Sequence, residues 1–256
     1  MCNTCGCSSG EHDHMHPGDH NHHHKSHQTT IQRVEHDLLA KNDRIAEENR
    51  RWFADRNILA VNLVSSPGAG KTTLLERTVR DLKNELTCCV IEGDQSTDLD
   101  AQRIRQAGCP VIQLNTGKGC HLDAGMVSSA LEELSPPSSS IIFIENVGNL
   151  VCPALFDLGE YAKILVCSVT EGDDKPMKYP YIFRASSMLL LNKTDLLPYV
   201  KFSVSTFTSH AGQVNPELNI IELSAERGTH FDAWYTWLRN GLADVSNIHN
   251  QVSVVR

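Results

Sequence analysis

The sequence has no long apolar run and no excess of positive charge. Nothing in its 256 residues approaches the roughly 18 consecutive apolar residues that cross a membrane. Its start does not join a basic segment to an apolar one, so we expect neither a membrane span nor a signal peptide. A formal net charge of −8 argues against nucleic acid as the main partner.

Glycine and proline are also too few for a fibrous or disordered chain. They number 16 and 10, while 40% of the residues are hydrophobic and 21% are charged. This balance excludes collagen, coiled coil and wholesale disorder. We therefore expect one sizeable α/β domain with an appendage, or two small domains.

Cysteine and histidine are over-represented, with 9 and 13 residues. Eight of the histidines lie between His12 and His27, and three cysteines lie within the first seven residues. The cysteine count is odd and the spacing does not suggest a disulfide framework, so we expect a reducing, cytoplasmic location with thiols available as ligands. This bias predicts metal binding.

The chain divides into three zones. Residues 1–30 form a low-complexity Cys/His-rich tail, which we expect to be disordered without metal; an expression tag is the alternative, but other residues interrupt the histidines. Residues 31–56 predict a helix with one apolar stripe. Residues 57–256 are expected to form a globular P-loop domain, whose last ten residues show no clear periodicity and are expected to fray or to serve a partner.

Short apolar runs alternate with helical stretches throughout the third zone. Runs of Val, Ile and Leu that are separated by helices are typical of strands buried on both faces. They predict an α/β fold with a mainly parallel sheet of about seven strands and helices on both faces. The predicted strands are 58–64, 88–91, 111–114, 141–144, 164–169, 188–191 and 219–223.

A phosphate-binding loop follows the first predicted strand. The sequence from Ser65 reads Ser-Ser-Pro-Gly-Ala-Gly-Lys-Thr, and only its first position departs from the P-loop consensus, which has glycine there. Gly68 and Gly70 let backbone N–H groups approach phosphate, Lys71 supplies a positive charge, and the Thr72 hydroxyl can bind Mg²⁺. The predicted phosphate-binding residues are Gly68, Ala69, Gly70, Lys71, Thr72 and Thr73.

A second motif predicts that the base is guanine. The run Asn-Lys-Thr-Asp begins at Asn192, directly after a predicted strand. In P-loop proteins the Asp of this motif accepts hydrogen bonds from guanine N1–H and the exocyclic amine, a donor pair that adenine lacks. Ser224 and Ala225 are expected to add a contact to the base, although the residue after them departs from the usual pattern. The predicted guanine-binding residues are Asn192, Lys193, Asp195, Ser224 and Ala225.

Acidic residues at strand ends predict a magnesium site and a switch. Glu145 closes a predicted strand, and Gly148 follows three residues later, a pattern that connects Mg²⁺ and the γ-phosphate to a mobile loop. Of Asp94, Asp98 and Asp100, we expect one or two to lie at a solvated helix start instead. No Gln follows Gly148, so we expect slow GTP hydrolysis. The predicted catalytic residues are Lys71, Asp94 and Glu145, and the predicted magnesium ligands are Thr72, Asp94, Asp100 and Glu145.

The N-terminal tail predicts two kinds of metal binding. Cys2, Cys5 and Cys7 form Cys-x-x-Cys-Gly-Cys; with the terminal amine they can surround Zn²⁺, Ni²⁺ or Cu⁺, and a square-planar arrangement favours Ni²⁺. A redox Cys-x-x-Cys is the alternative, disfavoured because no surrounding βαβ unit is predicted. The histidines lack fixed geometry and suggest buffering or storage of several metal ions, which would be nickel storage if the family resemblance given below holds. They are His12, His14, His16, His20, His22, His23, His24 and His27.

A third metal site is predicted inside the domain. Cys120 and His121 are expected to open a helix, and Cys152 lies in a loop just before Pro153 and downstream of the switch. One imidazole and two thiolates would give three ligands per chain, but the residues alone leave this pairing open. The remaining cysteines are expected to be small buried apolar groups. They are Cys88, Cys89, Cys109 and Cys167.

Taken together, these motifs resemble those of the hydrogenase nickel-incorporation GTPases, the HypB family. The resemblance covers the whole chain. Beyond the P-loop, the tail motif at 2–7 and the guanine motif at 192–195, it rests on Glu-Gly-Asp-Gln at 92–95, Gly-Cys-His-Leu at 119–122, Glu-Asn-Val-Gly-Asn-Leu-Val-Cys-Pro at 145–153 and Glu-Gly-Asp-Asp-Lys-Pro at 171–176.

The resemblance implies a dimerising GTPase of the class that includes signal-recognition and nitrogenase-type P-loop proteins. It implies a Ni/Zn site of Cys120, His121 and Cys152 at the interface of a GTP-dependent homodimer. It also implies partnership with a nickel metallochaperone (HypA) and delivery of nickel into the large subunit of [NiFe]-hydrogenase.

Two other functions remain open at this point. A urease-accessory nickel GTPase is similar in its domain, but the thiolate motif at 2–7 disfavours it. The protein could instead act chiefly in nickel storage or detoxification, with GTP hydrolysis secondary.

Overall fold

The computed structural model describes residues 23–94, 98–117 and 119–254. The chain separates into two compact units, residues 1–41 and 42–256. The described part of the first unit is helical and belongs to α1, His23–Asp55. This helix begins at His23 rather than near residue 31, so the predicted boundary between tail and helix was wrong. Its first residues include polar ones that an apolar-stripe criterion does not recognise as helical.

The described residues of the second unit contain a seven-stranded sheet. Every pair of neighbouring strands is parallel, and the strand order is β3-β2-β4-β1-β5-β6-β7. This confirms the predicted fold class. The strands are β1 Leu59–Ser65, β2 Cys88–Asp94, β3 Val111–Asn115, β4 Ile141–Glu145, β5 Ala162–Ser168, β6 Met188–Asn192 and β7 Asn219–Glu222.

Helices connect the strands. None of the helices in the described part is long and apolar enough to span a membrane. After α1 they are α2 Lys71–Leu82, α3 Leu99–Gln106, α4 Ala124–Leu134, α5 Lys175–Lys178, α6 Pro180–Ala185, α7 Val204–Val214 and α8 Asp232–Val254, with short 3-10 turns at Cys152–Ala154 and Thr194–Tyr199.

Two helix boundaries differ from the sequence-based expectation. Helix α8 continues to Val254, so the last ten residues are helical as far as residue 254. Helix α4 begins at Ala124, because the Asp123 carboxylate accepts the Met126 backbone N–H at 2.8 Å and caps the first turn. Cys120 and His121 therefore lie in the β3–α4 loop and do not open the helix.

The core lies on both faces of the sheet, which explains the uninterrupted apolar strands. On one face, Leu63 of β1 belongs to a cluster with Leu74 of α2 and Trp234 of α8. The Trp234 indole N–H donates to the Thr78 hydroxyl at 3.0 Å, so this buried polar group is satisfied. On the other face, Ala60 packs in a cluster that includes Phe53 of α1.

The order of the strands in the sheet indicates where a ligand would bind. Strand β1 lies between β4 and β5. After β1 the chain forms β2, β3 and β4 on one side of it, with β4 returning to the position next to β1, and then forms β5, β6 and β7 on the other side. Ligands of open parallel sheets bind at such a switch point, beyond the carboxyl ends of the strands. The P-loop follows β1 at this position.

Candidate functional site

A cavity of about 510 Å³ lies beyond the carboxyl ends of β1, β2 and β4. The structure brings most of the residues predicted to bind phosphate and magnesium into its wall. The lining residues are Pro67, Gly68, Gly70, Lys71, Thr72, Thr73, Glu92, Gly93, Asp94, Asp100, Arg103, Glu145, Asn146, Val147, Gly148 and Lys193.

Two glycines shape the loop between β1 and α2. Gly68 and Gly70 have φ values of 76° and 98°, which are left-handed and favour glycine. A Cβ atom at Gly70 would lie 2.5 Å from Nδ2 of Asn192. The second glycine therefore permits both the turn and the close approach of the β6 end, so that backbone N–H groups can line a phosphate position.

Lys71 opens α2 and is buried beside the loop. Its ammonium donates to the hydroxyl of Ser65 at 2.8 Å, so the residue that departs from the consensus contacts the P-loop lysine. Burial lowers the pKa of Lys71, and the carboxylates of Glu145, Asp100 and Glu92 oppose that effect. The ammonium can supply positive charge to phosphate in a cavity that is otherwise rich in carboxylates.

Thr72 and Glu145 form a pair that fits a divalent cation. The Thr72 hydroxyl donates to Oε1 of Glu145 at 2.8 Å, and burial raises the pKa of this glutamate. Within the described part of the chain, the buried Oε2 of Glu145 has no hydrogen-bond partner. Hydroxyl and carboxylate oxygens are the donors that Mg²⁺ takes, and Asp94 and Asp100 line the same cavity.

Glu92 is a candidate that the sequence analysis did not assign. It lies beside Glu145 in the parallel register of β2 and β4, and its Oε2 is buried without a hydrogen-bond partner among the described residues. Burial, reinforced by the charges of Glu145, Asp94 and Asp100, raises the pKa of Glu92 to about 8. An acidic residue directly after the apolar run at 88–91 was the signal that could have identified it.

Asp98 lies at a helix start, as expected for at least one of the three aspartates. It is the N-cap residue of α3 and accepts a hydrogen bond from the Gln102 side chain at 2.7 Å. Asp100 lies in the first turn of the same helix, 3.6 Å from the Arg103 guanidinium.

The residues predicted to bind guanine are held against the P-loop. The Asn192 side chain donates to the Ala69 carbonyl at 2.9 Å, and Lys193 donates to the Gly68 carbonyl at 2.8 Å. Asn192 also accepts the backbone N–H of Ala225 at 3.0 Å.

The remaining contact orients the aspartate. The Ser224 hydroxyl donates to Oδ1 of Asp195 at 2.5 Å. Three segments that are distant in sequence, at the ends of β1, β6 and β7, thus form one hydrogen-bonded unit.

Cys120, His121 and Cys152 form a candidate metal centre. Their ligand atoms all lie within 4.8 Å of one another. The two sulfur atoms are 2.7 Å apart, and Sγ of Cys120 is 3.6 Å from Nδ1 of His121. Burial lowers the pKa of His121, which favours the neutral imidazole that binds metals. Two thiols and an imidazole suit Ni²⁺ or Zn²⁺.

The other described cysteines are buried in the core, as predicted. Burial raises the pKa of Cys88 to about 12, which keeps this thiol protonated and unsuited to metal binding. The Cys109 thiol donates to the Cys88 carbonyl at 3.1 Å.

The metal sites predicted in the tail fall mostly outside the described residues. The structure does not describe Cys2, Cys5 and Cys7, nor the histidines up to His22. His23, His24 and His27 lie within α1.

One residue connects the metal centre with the nucleotide cavity. The backbone N–H of Leu122, which follows His121, donates to Oδ1 of Asn146 at 3.0 Å. The Leu122 side chain is packed over Gly93, where an added Cβ atom would lie 2.8 Å from Leu122 Cγ. Gly93 and Asn146 directly follow the two cavity carboxylates Glu92 and Glu145.

Comparison with known proteins agrees with these features. The family described as CobW/HypB/UreG, nucleotide-binding domain, matches residues 59–222. The hydrogenase maturation factor HypB of Rhizobium leguminosarum bv. viciae is 56% identical over 211 residues, 82% of this chain and 71% of the relative. That of Escherichia coli K12 is 58% identical over 205 residues, 80% of this chain and 71% of the relative.

Solved structures give the same result. HypB from Archaeoglobus fulgidus superposes with a TM-score of 0.74 at 39% identity, covering 79% of this chain and 99% of that one. HypB from Helicobacter pylori, solved in complex with nickel, gives a TM-score of 0.75 at 35% identity, covering 80% and 96%. The chain therefore belongs to the hydrogenase maturation factor HypB family of CobW/HypB/UreG nucleotide-binding proteins.

Proposed function

We propose that this protein is a GTP-hydrolysing nickel metallochaperone. It binds Ni²⁺ at Cys120, His121 and Cys152 and inserts it into the large subunit of [NiFe]-hydrogenase, and the bound nucleotide controls dimerisation and metal release. The observation that carries the proposal is the contact of Leu122 with both Gly93 and Asn146, because it joins a metal centre to a nucleotide cavity. The nickel-bound Helicobacter pylori relative supports the choice of metal.

GTP is the proposed nucleotide. Asp195 is oriented by Ser224, and Asn192 holds the base-reading segment against the P-loop. A base that offers two adjacent donors matches the Asp195 carboxylate, which favours guanine over adenine. Gly68, Ala69, Gly70 and Thr73 would contribute backbone N–H groups to the phosphates.

The cavity residues have distinct proposed roles in hydrolysis. Lys71 neutralises charge on the β- and γ-phosphates, and Asp94 holds the attacking water. Thr72, Asp94, Asp100 and Glu145 would hold Mg²⁺, which when bound neutralises charge that develops on the phosphate oxygens. Rearrangement of the β4–Cys152 segment then follows the loss of the γ-phosphate.

The metal centre is proposed to be completed in a dimer. Three ligands from one chain leave a Ni²⁺ or Zn²⁺ ion short of four, and a second copy that presents the same residues would supply the rest. A GTP-dependent homodimer would therefore assemble the centre, and dissociation after hydrolysis would open it to an acceptor. HypA is the proposed exchange partner for nickel.

Leu122 provides a direct physical contact between the nucleotide cavity and the metal centre. If the segments at Gly93 and Asn146 move when the γ-phosphate is lost, Leu122 must move with them, because it is hydrogen-bonded to one and packed on the other. His121 is its neighbour in the chain. Nickel affinity and nucleotide state are then linked, and each changes the other by the same factor.

A titration tests the proposal. We would measure the nickel affinity of the full chain, with Cys2, Cys5 and Cys7 replaced by Ser, in the presence of a non-hydrolysable GTP analogue and of GDP. Sedimentation under the same conditions reports dimerisation. We expect at least a fivefold difference in affinity and a dimer only with the analogue. Equal affinities together with equal dimerisation would overturn the switching mechanism.

A second function, nickel storage, is suggested by the histidine tract in the tail. Deleting residues 8–22 removes five of its eight histidines and leaves α1 intact. If hydrogenase maturation persists and only nickel tolerance falls, the tract stores nickel while the domain delivers it. Loss of maturation at adequate nickel supply would instead assign the tract to delivery.

A further inference from the structure

Lys163 is a buried cation close to the candidate metal centre. It lies in β5, and its side chain is only 8% exposed. The ammonium donates to the carbonyl oxygens of Pro153 at 2.8 Å and Phe156 at 3.0 Å. One lysine therefore holds both ends of the segment that follows Cys152.

A buried carboxylate accompanies this lysine. Glu160 lies 3.7 Å from the Lys163 ammonium, and its side chain is 7% exposed. Its two oxygens accept hydrogen bonds from Asn62 at 3.0 Å and from the Leu158 backbone N–H at 2.7 Å. Burying such a pair is costly and often no more stabilising than apolar packing, so overall stability is a poor reason for its presence.

The segment that Lys163 holds contacts the metal ligands at two places. Cys152 directly precedes Pro153. The Phe156 ring lies against the imidazole of His121, with ring centroids 3.8 Å apart and an angle of 31° between the planes. The position of Cys152 Sγ and the orientation of the His121 ring thus both depend on where residues 153–156 lie.

We propose that Lys163 is a positioning residue for nickel, acting through the Pro153 and Phe156 carbonyls to hold the Cys152 thiol and the ring that orients His121. The inference rests on the proposed nickel site. In other metal sites, carboxylates and carbonyls that hydrogen-bond to a metal-bound histidine hold it in place, and loss of such a partner typically weakens metal binding 10- to 100-fold. Lys163 would have a comparable supporting role here.

The experiment uses the full chain with Cys2, Cys5 and Cys7 replaced by Ser. In this background the thiolate-to-nickel charge-transfer absorption reports on Cys120 and Cys152, since the tail histidines contribute no thiolate. Lys163→Met removes the two hydrogen bonds with little change in volume. Lys83→Met, at an exposed lysine after α2, is the matched control.

We expect Lys163→Met to weaken nickel binding by at least tenfold, as measured by competition with a chromophoric chelator, and to shift or weaken the absorption band. Lys163→Arg, which can still donate to two carbonyls, should recover part of the affinity. GDP affinity should stay within twofold in all three variants. A residue that only stabilised the fold would change the melting temperature and leave the band of the folded protein unaltered, and that result would overturn the inference.

Two further variants keep the test decisive. Replacing Cys120 and Cys152 together by Ser should abolish the band. If it does not, the proposed nickel site itself fails, whereas loss with this double variant but not with Lys163→Met defeats only the positioning role. Should Lys163→Met fail to fold, Phe156→Leu takes its place. It removes the ring against His121 and should also weaken nickel binding, and unchanged binding would overturn the inference.

Discussion

The nucleotide cavity and the metal centre are held in place by different kinds of structure. The P-loop and three cavity carboxylates, Glu92, Asp94 and Glu145, lie at or directly after the ends of β1, β2 and β4, where the ladder of the sheet determines the backbone position. The fourth, Asp100, lies in the first turn of α3. The metal ligands lie in the β3–α4 loop and at the start of the 3-10 turn Cys152–Ala154. Side-chain contacts help to hold these segments, such as Asn149 to the Cys120 carbonyl at 3.3 Å and Lys163 to Pro153 at 2.8 Å. The backbone of the first site is held by strand pairing, whereas the second depends on contacts between loops and side chains.

This difference suits a switch. Residues that bind phosphate need fixed positions, which the ends of strands provide. Residues that must gain and lose a metal ion are better placed on loops, which rearrange at a lower cost in free energy. Substitutions should therefore affect one site at a time, except at Leu122 and its contacts, where both sites should change.

The largest expected effect separates the two sites. Lys71→Ala removes the charge that we assign to the phosphates and should lower the rate of GTP hydrolysis by about 10³-fold, because such fixed charges act mainly on the transition state. Phosphate release measures the rate, and Lys83→Ala is the control. Nickel affinity in the presence of GDP should not change. A drop in that affinity would contradict the separation of the sites.

Glu92 tests the electrostatics of the cavity. Its pKa is raised to about 8, so between its ordinary range and pH 8 the folded state binds more protons than the unfolded state. The free energy of unfolding should therefore fall as the pH rises from the ordinary pKa of a glutamate to about 8, and the contribution of Glu92 to stability is retained only at lower pH.

The substitution Glu92→Gln should remove this pH dependence. Without nucleotide or Mg²⁺, the unfolding free energy of the variant should exceed that of the natural protein by about 2 kcal/mol at pH 8. This figure is smaller than the full pKa shift implies, because solvent in the open cavity screens the charge. The two unfolding free energies should converge near pH 5. Urea unfolding at several pH values measures the difference. Parallel curves would show that Glu92 is already ionised and paired.

The sequence predicted the nucleotide cavity better than the metal centre for the same physical reason. A P-loop and a guanine motif are short segments whose local geometry is set by the strands before them, so their partners could be inferred from order alone. Cys120 and Cys152 are far apart in the chain, and spacing does not reveal that their sulfur atoms meet. The residues alone left that pairing open, and the family resemblance favoured it.

Other features also depended on tertiary contacts that no pattern shows. Lys163 lies in a strand that was predicted only from residue 164 onward, and the acceptors of its hydrogen bonds are backbone carbonyls, which a sequence pattern does not reveal. The start of α4 at Ala124 depends on the Asp123 cap. The sequence analysis had instead expected the helix to begin at Cys120 and His121.

Gly93→Ala should break the link between the two sites. The new methyl group would meet Leu122 at 2.8 Å, and such overpacking costs about 1–3 kcal/mol unless the leucine shifts. A displaced Leu122 no longer follows the nucleotide, so the difference in nickel affinity between the GTP analogue and GDP should fall to less than twofold. Gly212→Ala in α7, where a Cβ atom meets nothing within 4 Å, is the control and should retain the difference.

Ser65→Ala should give the smallest effect and show whether the cavity is fully preorganised. The Ser65 hydroxyl accepts from the Lys71 ammonium, so a phosphate that binds Lys71 must compete with it. Without the hydroxyl the free protein loses one charge-assisted hydrogen bond and about 1 kcal/mol of stability. GDP, measured by fluorescence titration, should then bind two- to fivefold more tightly, because Lys71 gives up no partner. Weaker binding would mean that Ser65 instead holds Lys71 in the position that phosphate needs, and that the departure from the P-loop consensus assists the site.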